Sequence, residues 1–226
     1  MKKIYTTVSA LLVAAFMLTG CSMAYENSND VPLVTQDSAD SDSVLEALEN
    51  ATTIDAKKAV LAFGDKWTIS ADGIEVGEIR GEAIYLLGDT YSLFSTNGNL
   101  VGSEGEAFRV INHQAKLYDY NNIERGMIQE HFSMFLAQYS FLNADGVEIG
   151  KASQKLNITM NFNITDMNDV AEYKISKSFL SFGAKVKIEK LTKDTSVSAI
   201  DALWLAVIAS EVDEAKNSKS NSNNNN

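Results

Sequence analysis

Reactive and metal-binding side chains are scarce in this chain. Of its 226 residues, one is a cysteine, Cys21, and two are histidines, His113 and His131. A lone thiol cannot form a disulfide within the chain, and a tetrahedral zinc site would have too few ligands to draw on. Catalytic signatures are missing as well: the sequence has no G-x-S-x-G, P-loop, H-E-x-x-H or paired-cysteine motif. Positive charge is also short, with 19 Lys and Arg against 30 Asp and Glu, a net charge of −11. That balance excludes nucleic acid as a partner, because a phosphate backbone is held by clustered Lys and Arg. What remains is ordinary for a globular protein, with 45 % hydrophobic residues.

The start of the chain carries a processing pattern. Lys2-Lys3 give a positive n-region, Ile4 to Leu18 a short apolar stretch, and Leu18-Thr-Gly-Cys21 resembles the bacterial lipobox. That resemblance implies that residues 1–20 are a lipoprotein signal peptide, that the Cys21 thiol is acylated, and that the mature chain begins there. Several acyl chains make a stable membrane anchor where one is marginal. Ser22 after the cysteine implies outer-membrane sorting in a bacterium with two membranes. Residues 21–42, rich in Ser, Asn and Asp, read as a solvated tether. Their spaced aspartates lack the Gly and the bidentate Glu of an EF-hand loop, so no metal is expected. Ser43-Val-Leu-Glu46 has the capping-box arrangement and opens an expected short helical segment over 43–62.

From Gly64 onward, turn signals recur at a nearly fixed interval: Asp72-Gly73, Asn97-Gly98, Asn121-Asn122 and Asp145-Gly146. Such dipeptides between alternating segments are strong hairpin signals, since both central residues of a type I′ turn need positive φ. The same interval lands on Asn168-Asp169 and Lys193-Asp194. Gly77, Gly102, Gly126 and Gly150 keep step, each four residues after its turn. The segments before the turns alternate and are rich in aromatic and β-branched residues, as in Thr90-Tyr-Ser-Leu-Phe94. One hairpin per ~24 residues, six times over, predicts about twelve antiparallel strands, and a sheet of that length must close to remove its edges.

The stretch from Ala199 to Asp213 predicts what fills the barrel. No polar residue falls between Ala202 and Ala209, and a helix that is apolar all round must be buried on every side. It is too short for a bilayer, which takes ~20 apolar residues. The fold expected is mainly β: a twelve-stranded closed antiparallel barrel (six hairpins) around a central hydrophobic C-terminal helix, over residues 63–215. The Ser- and Asn-rich tail, 216–226, is expected to be disordered.

These residues carry a family resemblance. Gly64-Asp-Lys-Trp-Thr-Ile69, Asp72-Gly-Ile-Glu-Val-Gly-Glu-Ile79, Leu87-Gly-Asp-Thr-Tyr-Ser-Leu-Phe94, Asn97-Gly-Asn-Leu-Val-Gly102, Phe179-Leu-Ser-Phe182 and Ala202-Leu-Trp-Leu-Ala-Val-Ile-Ala209 with Asp213 resemble the LURP-one-related family. That family belongs to the Tubby C-terminal-like group, with the phospholipid scramblases. The resemblance spans roughly 63–214 and implies the same barrel, with no catalytic signature.

One charge feature stands apart. Between Lys151 and Lys193 there are eight lysines against four acids. Lys185 and Lys187 alternate with Ala184, Val186 and Ile188 and therefore share an outward face. Tubby domains, as the resemblance implies, hold anionic phosphoinositide headgroups on a basic surface. Lys174, Lys177, Lys185 and Lys187 are accordingly the candidate anionic-lipid contacts. The expectation is a non-enzymatic, lipid-anchored protein of the bacterial cell envelope, without cofactor, metal or catalytic residue. Its barrel is an interaction or structural module whose partner is an envelope protein, or alternatively a phospholipid headgroup. Glu130 and His131, being adjacent in a strand, point to opposite faces and form no site.

Overall fold

A computed structural model describes residues 36–59, 66–82, 90–107, 114–131, 136–155, 160–180 and 183–223. Twelve strands follow one another: β1 (Thr53–Lys58), β2 (Lys66–Ala71), β3 (Ile74–Glu82), β4 (Thr90–Ser95), β5 (Leu100–Ala107) and β6 (Gln114–Asp119), then β7 (Glu124–His131), β8 (Gln138–Asn143), β9 (Glu148–Gln154), β10 (Asn161–Asp166), β11 (Ala171–Leu180) and β12 (Gly183–Lys190). Each pairs antiparallel with its sequence neighbours, and β1 also pairs with β12, setting Ala56 against Val186. The sheet is therefore the expected closed barrel and has no free edge. A helix, α1 (Ser38–Asn50), precedes β1, and the hydrophobic helix α2 (Ala199–Asn223) follows β12.

Alternation fixes which face of each strand looks inward. In β2, Trp67, Ile69 and Ala71 are buried while Lys66, Thr68 and Ser70 are partly exposed, and β4 and β10 repeat the pattern. The barrel is thus apolar inside and polar outside, the reverse of a membrane-spanning barrel. No helix among the described residues is long and apolar enough to cross a membrane. The interior belongs to α2: Leu203, Trp204, Leu205, Ala206 and Val207 are each no more than 1 % exposed. Ser198 caps its start, accepting from the Asp201 amide at 3.3 Å.

Five tight turns gather at one end of the barrel, called here the turn end. Only Asp72-Gly73 has positive φ at both positions, as type I′ requires. In the next four, a single residue takes the left-handed conformation: Gly98, Asn122, Gly146 and Asp169. Each of these is stabilised by a side chain from the residue that opens it. Asp119, for example, accepts from the amides of Asn121 and Ile123, both at 2.8 Å, and Asp166 does the same for Asn168 and Val170. The sixth marker, Lys193-Asp194, lies in the linker that swings the chain from β12 into α2.

The spaced glycines mark bulges. Every one of these hairpins slips register by one residue, leaving Val76, Val101, Arg125, Ile149 and Glu172 as the extra residue. A bulge turns two consecutive side chains toward one face. Room for both is lacking: a Cβ on Gly77 would lie 2.1 Å from the Phe94 carbonyl oxygen, and one on Gly126 2.3 Å from that of Leu142. In the fifth hairpin Tyr173 replaces the glycine and fills the interior, 0 % exposed.

Several boundaries differ from those expected. Thr53–Lys58, placed in the helical segment 43–62, is strand β1, because β12 needs a partner to close the sheet. The helix instead covers Ser38–Asn50, and its N-cap is Asp37 rather than Ser43; the Asp37 carboxylate accepts from the amides of Ala39 and Asp40. Part of the expected tether, 38–42, is therefore folded onto the barrel, while residues 21–35 lie outside the described ones. There Asp40 accepts hydrogen bonds from Ser95, Asn97 and Asn99 of the β4–β5 turn, which hold its carboxyl below the usual range. At the other terminus α2 continues to Asn223, past the expected start of a disordered tail. Extending a formed helix costs far less than starting one.

Because Trp204 is 1 % exposed at the barrel axis, Trp204→Lys would bury a charge and leave a void. The domain should then fail to fold to a soluble, protease-resistant form. A variant with wild-type thermal melting and proteolysis patterns would mean that α2 is not the plug.

Candidate functional site

Two polar clusters hold the plug, one at each end. At the turn end, the bulges in β7 and β11 aim Arg125 and Glu172 inward at the start of α2. Glu172, 3 % exposed, accepts from the amides of Ser196 and Val197, and the Tyr173 hydroxyl donates to the Val197 carbonyl at 3.0 Å. Glu49 of α1 accepts from the Ala199 amide at 2.7 Å, so α1 contributes to the cap of α2. Arg125 reaches Ser198 at 3.4 Å and Asp201 at 3.9 Å. Burial pushes the Asp201 carboxyl up, and the Arg125 guanidinium only partly offsets it.

At the opposite end the barrel supplies cations and the helix anions. Lys58 donates to Glu211 at 2.7 Å and to Glu214 at 2.9 Å, while the Trp67 indole donates to Glu211 at 3.2 Å. Lys177 donates to the Ser210 carbonyl, Asp213 and Glu214, each at 3.2 Å.

The four lysines nominated for anionic lipid do not share one face. Lys177 points into the barrel with Tyr173 and Ile175 and is 4 % exposed. Its place in the alternation of β11 puts it there, and the α2 carboxylates compensate its charge. Lys174, Lys185 and Lys187 do face outward, each against an acid: Lys174 and Lys187 flank Glu189 at 3.4 and 2.7 Å, and Lys185 meets Asp55 at 3.1 Å. The two lysines lower the Glu189 carboxyl, Lys187 more than Lys174. Lys57, exposed on β1, joins the same face. Cys21 lies outside the described residues.

A hydrogen-bonded set on the outer wall has the composition of a hydrolase triad. Ser140 Oγ lies 2.7 Å from His131 Nε2 and donates to Glu148 at 2.6 Å. Its order is wrong for nucleophilic catalysis, which needs the imidazole between hydroxyl and carboxylate. With its proton given to Glu148, the Ser140 oxygen accepts from the imidazole, so the imidazole does not serve as its base. At the turn end an open cleft of about 590 Å³ runs between α1 and the β12–α2 linker. Lys190 and Lys193 line it together with Glu49, Asp166, Glu172 and Asp194, so no single charge sign selects a ligand. Among the described residues no group of three or more His, Cys, Asp or Glu is placed to hold a metal ion.

No family model, curated protein or solved structure matches the chain.

Sequence reasoning missed Arg125, Glu172, Lys58 and Glu211 as the residues that fix the plug. One signal was available for Glu172: the glycine period breaks at the fifth hairpin, where Glu172-Tyr173 stand in place of a small residue.

Asp201 dictates a pH dependence. An acid whose pKa is raised on folding contributes stability that is complete while it is protonated in both states, below ~4, and lost as pH rises through the folded value. Asp201→Asn should therefore melt above wild type at pH 7, with the advantage shrinking as pH falls toward 4. Lys177→Ala should cost about 2 kcal/mol in urea unfolding, because it leaves partly buried carboxylates facing each other. Lys185→Ala and Lys187→Ala, on the solvated face, should each stay within about 0.5 kcal/mol of wild type.

Proposed function

We propose that the chain is a non-enzymatic, lipid-anchored protein of the bacterial cell envelope, held by acylated Cys21, with its barrel serving as an interaction or structural module. The observation that carries this reading is the occupied interior: α2 fills the axis, where a barrel that binds a small molecule keeps a cavity. The polar groups at both ends of α2 are consumed in fixing it, and the Ser140 set is ordered against catalysis. A twelve-stranded closed barrel with an apolar C-terminal helix is also what membership of the LURP-one-related, Tubby C-terminal-like group implies, and we place the chain there on the residues that carry that resemblance.

A second reading, phospholipid-headgroup binding, draws on the outer face of β1, β11 and β12. There Lys57, Lys174, Lys185 and Lys187 stand against only Asp55 and Glu189, an excess of positive charge within an acidic protein. Two experiments test these readings. Mass spectrometry of the protein isolated from a producing bacterium should show a mature chain starting at an acylated residue 21, and Cys21→Ser should abolish the modification. An unmodified Cys21 thiol in the mature protein would sink the anchor. If the Lys face binds headgroups, Lys185→Glu with Lys187→Glu should weaken sedimentation with anionic vesicles. Unchanged sedimentation leaves the interaction-module reading in place.

A further inference from the structure

The large apolar side chains that are exposed among the described residues are Ile74, Ile123, Val147, Met167, Val170 and Leu191, between 46 % and 73 % exposed. All lie at the turn end, in or beside a hairpin turn or at the exit of β12. Four of them hold one position in the repeat, the residue just after the turn: Ile74, Ile123, Val147 and Val170. The fifth residue at that position is Asn99, and it is the one that α1 covers. Its side chain accepts from the Asp37 amide at 3.0 Å and donates to Asp40 at 2.8 Å.

Folding explains the neighbours of these residues but not the residues themselves. The Asp, Asn and Gly of each turn are required by its left-handed residue and by the side-chain cap. What the position after the turn contributes is its amide, which donates to that cap at 2.8 Å in Ile123, 2.9 Å in Val147 and 2.8 Å in Val170. Any residue with an amide does that. A β-branched side chain held out in water at four of five equivalent places is unexplained by packing.

We propose that this rim is a membrane-contacting surface that seats on zwitterionic phospholipid, and the inference rests on the reading that Cys21 is acylated. Three observations select the occupant. The tips are separate: neighbouring turns stand two strands, or ~10 Å, apart around the barrel, with polar turn residues between them. A protein interface needs a contiguous desolvated core, whereas a bilayer interface admits isolated apolar tips among its headgroups. Next, the chain toward Cys21 departs from this end. Gln36, the first described residue, is fastened to the start of β5, donating to the Leu100 carbonyl and accepting from its amide at 3.1 Å. The 15 residues from Cys21 to Gln36 span at most ~50 Å, so an anchor keeps the rim near the bilayer at high effective concentration. Finally, the exposed turn and linker residues beside the apolar tips carry four acids, Asp72, Asp145, Asp169 and Asp194, against one cation, Lys193, which disfavours anionic lipid.

Because Cys21 is the chain's only cysteine, site-directed labelling tests this on the full-length protein. An environment-sensitive fluorophore would be attached at Val147→Cys, Val170→Cys and, as a control on the outer wall of β9, Ser153→Cys. The proteins would be reconstituted in phosphatidylcholine vesicles carrying a lipid-attached quencher, with and without phosphatidylglycerol. Blue-shifted emission and severalfold stronger quenching at positions 147 and 170 than at 153 are expected, and added phosphatidylglycerol should not increase them. Equal quenching at all three positions, quenching that requires phosphatidylglycerol, or a blue shift that the lipid quencher does not reach would each overturn the proposal; the last would assign the rim to a protein. Labelling of the wild-type chain at Cys21 would overturn the anchor and this docking with it, and it is read separately from the quenching.

Discussion

A helix that is apolar on every side has no face to show to water, and that constraint organises this protein. Two sheets packed face to face, or a bundle of a few helices, would each leave part of α2 exposed. A closed sheet surrounds it. Eight strands enclose only their own side chains, and more are needed to leave space for a helix. Twelve strands supply that space here, and the inward residues of the barrel, among them Trp67, Ile69, Leu93, Ile164 and Ile175, meet α2 at close to zero exposure. Strand number, the regular hairpin period and the apolar run near the C-terminus are thus one property seen at three levels.

Placing such a helix raises a second problem, since its terminal amides and carbonyls must find partners inside a barrel mouth. The turn end meets it with bulges. By inserting one residue per hairpin, the sheet turns a side chain inward where plain alternation would point it out. In two of the five hairpins that residue is polar, Arg125 and Glu172, and both reach the α2 entry. Asp201 sits among them at a cost in solvation that its partners do not fully return. At the far end no such insertion is needed, because Lys58 and Lys177 lie on the inward face by ordinary alternation and meet carboxylates as α2 emerges.

How legible this was follows from the range of each interaction. Turns and bulge glycines are local, so Asp72-Gly73 and the four glycines in step could be read directly, and the barrel followed from counting. The plug was legible because its composition admits no exposed face. Strand β1 was not: Thr53-Ile-Asp-Ala-Lys-Lys58 suits a short helix as well as a strand, and what decides is β12, far away in sequence. The inward direction of Lys177 was written in its spacing from Tyr173 and Ile175. It was overridden by the expectation that lysine faces water, which fails when a helix outside the local window brings two carboxylates. Nothing near Asp40 in sequence announced that it would fasten α1 to Ser95, Asn97 and Asn99.

A repeat also supplies its own internal comparison. Five hairpins of one design, under the same folding constraints, should differ only where their surroundings differ. Gly102 and Gly150 stand where a Cβ would crowd a backbone carbonyl, and α2's Ile200 and the linker residue Val197 press on the same two places; Tyr173 departs from glycine where the linker leaves space for a ring. The position after the turn obeys the same logic in the other direction. Asn99 departs from the β-branched pattern where α1 supplies polar partners, and its buried side chain is spent on them. Its counterparts Ile123, Val147 and Val170 have no such cover among the described residues, yet they keep apolar side chains that folding does not require. Residues that the fold explains cannot point to function, however conspicuous they are, and the Lys177 cluster is of that kind. Those left over among the described residues, once turn chemistry, bulges and plug packing have been accounted for, sit together on one rim.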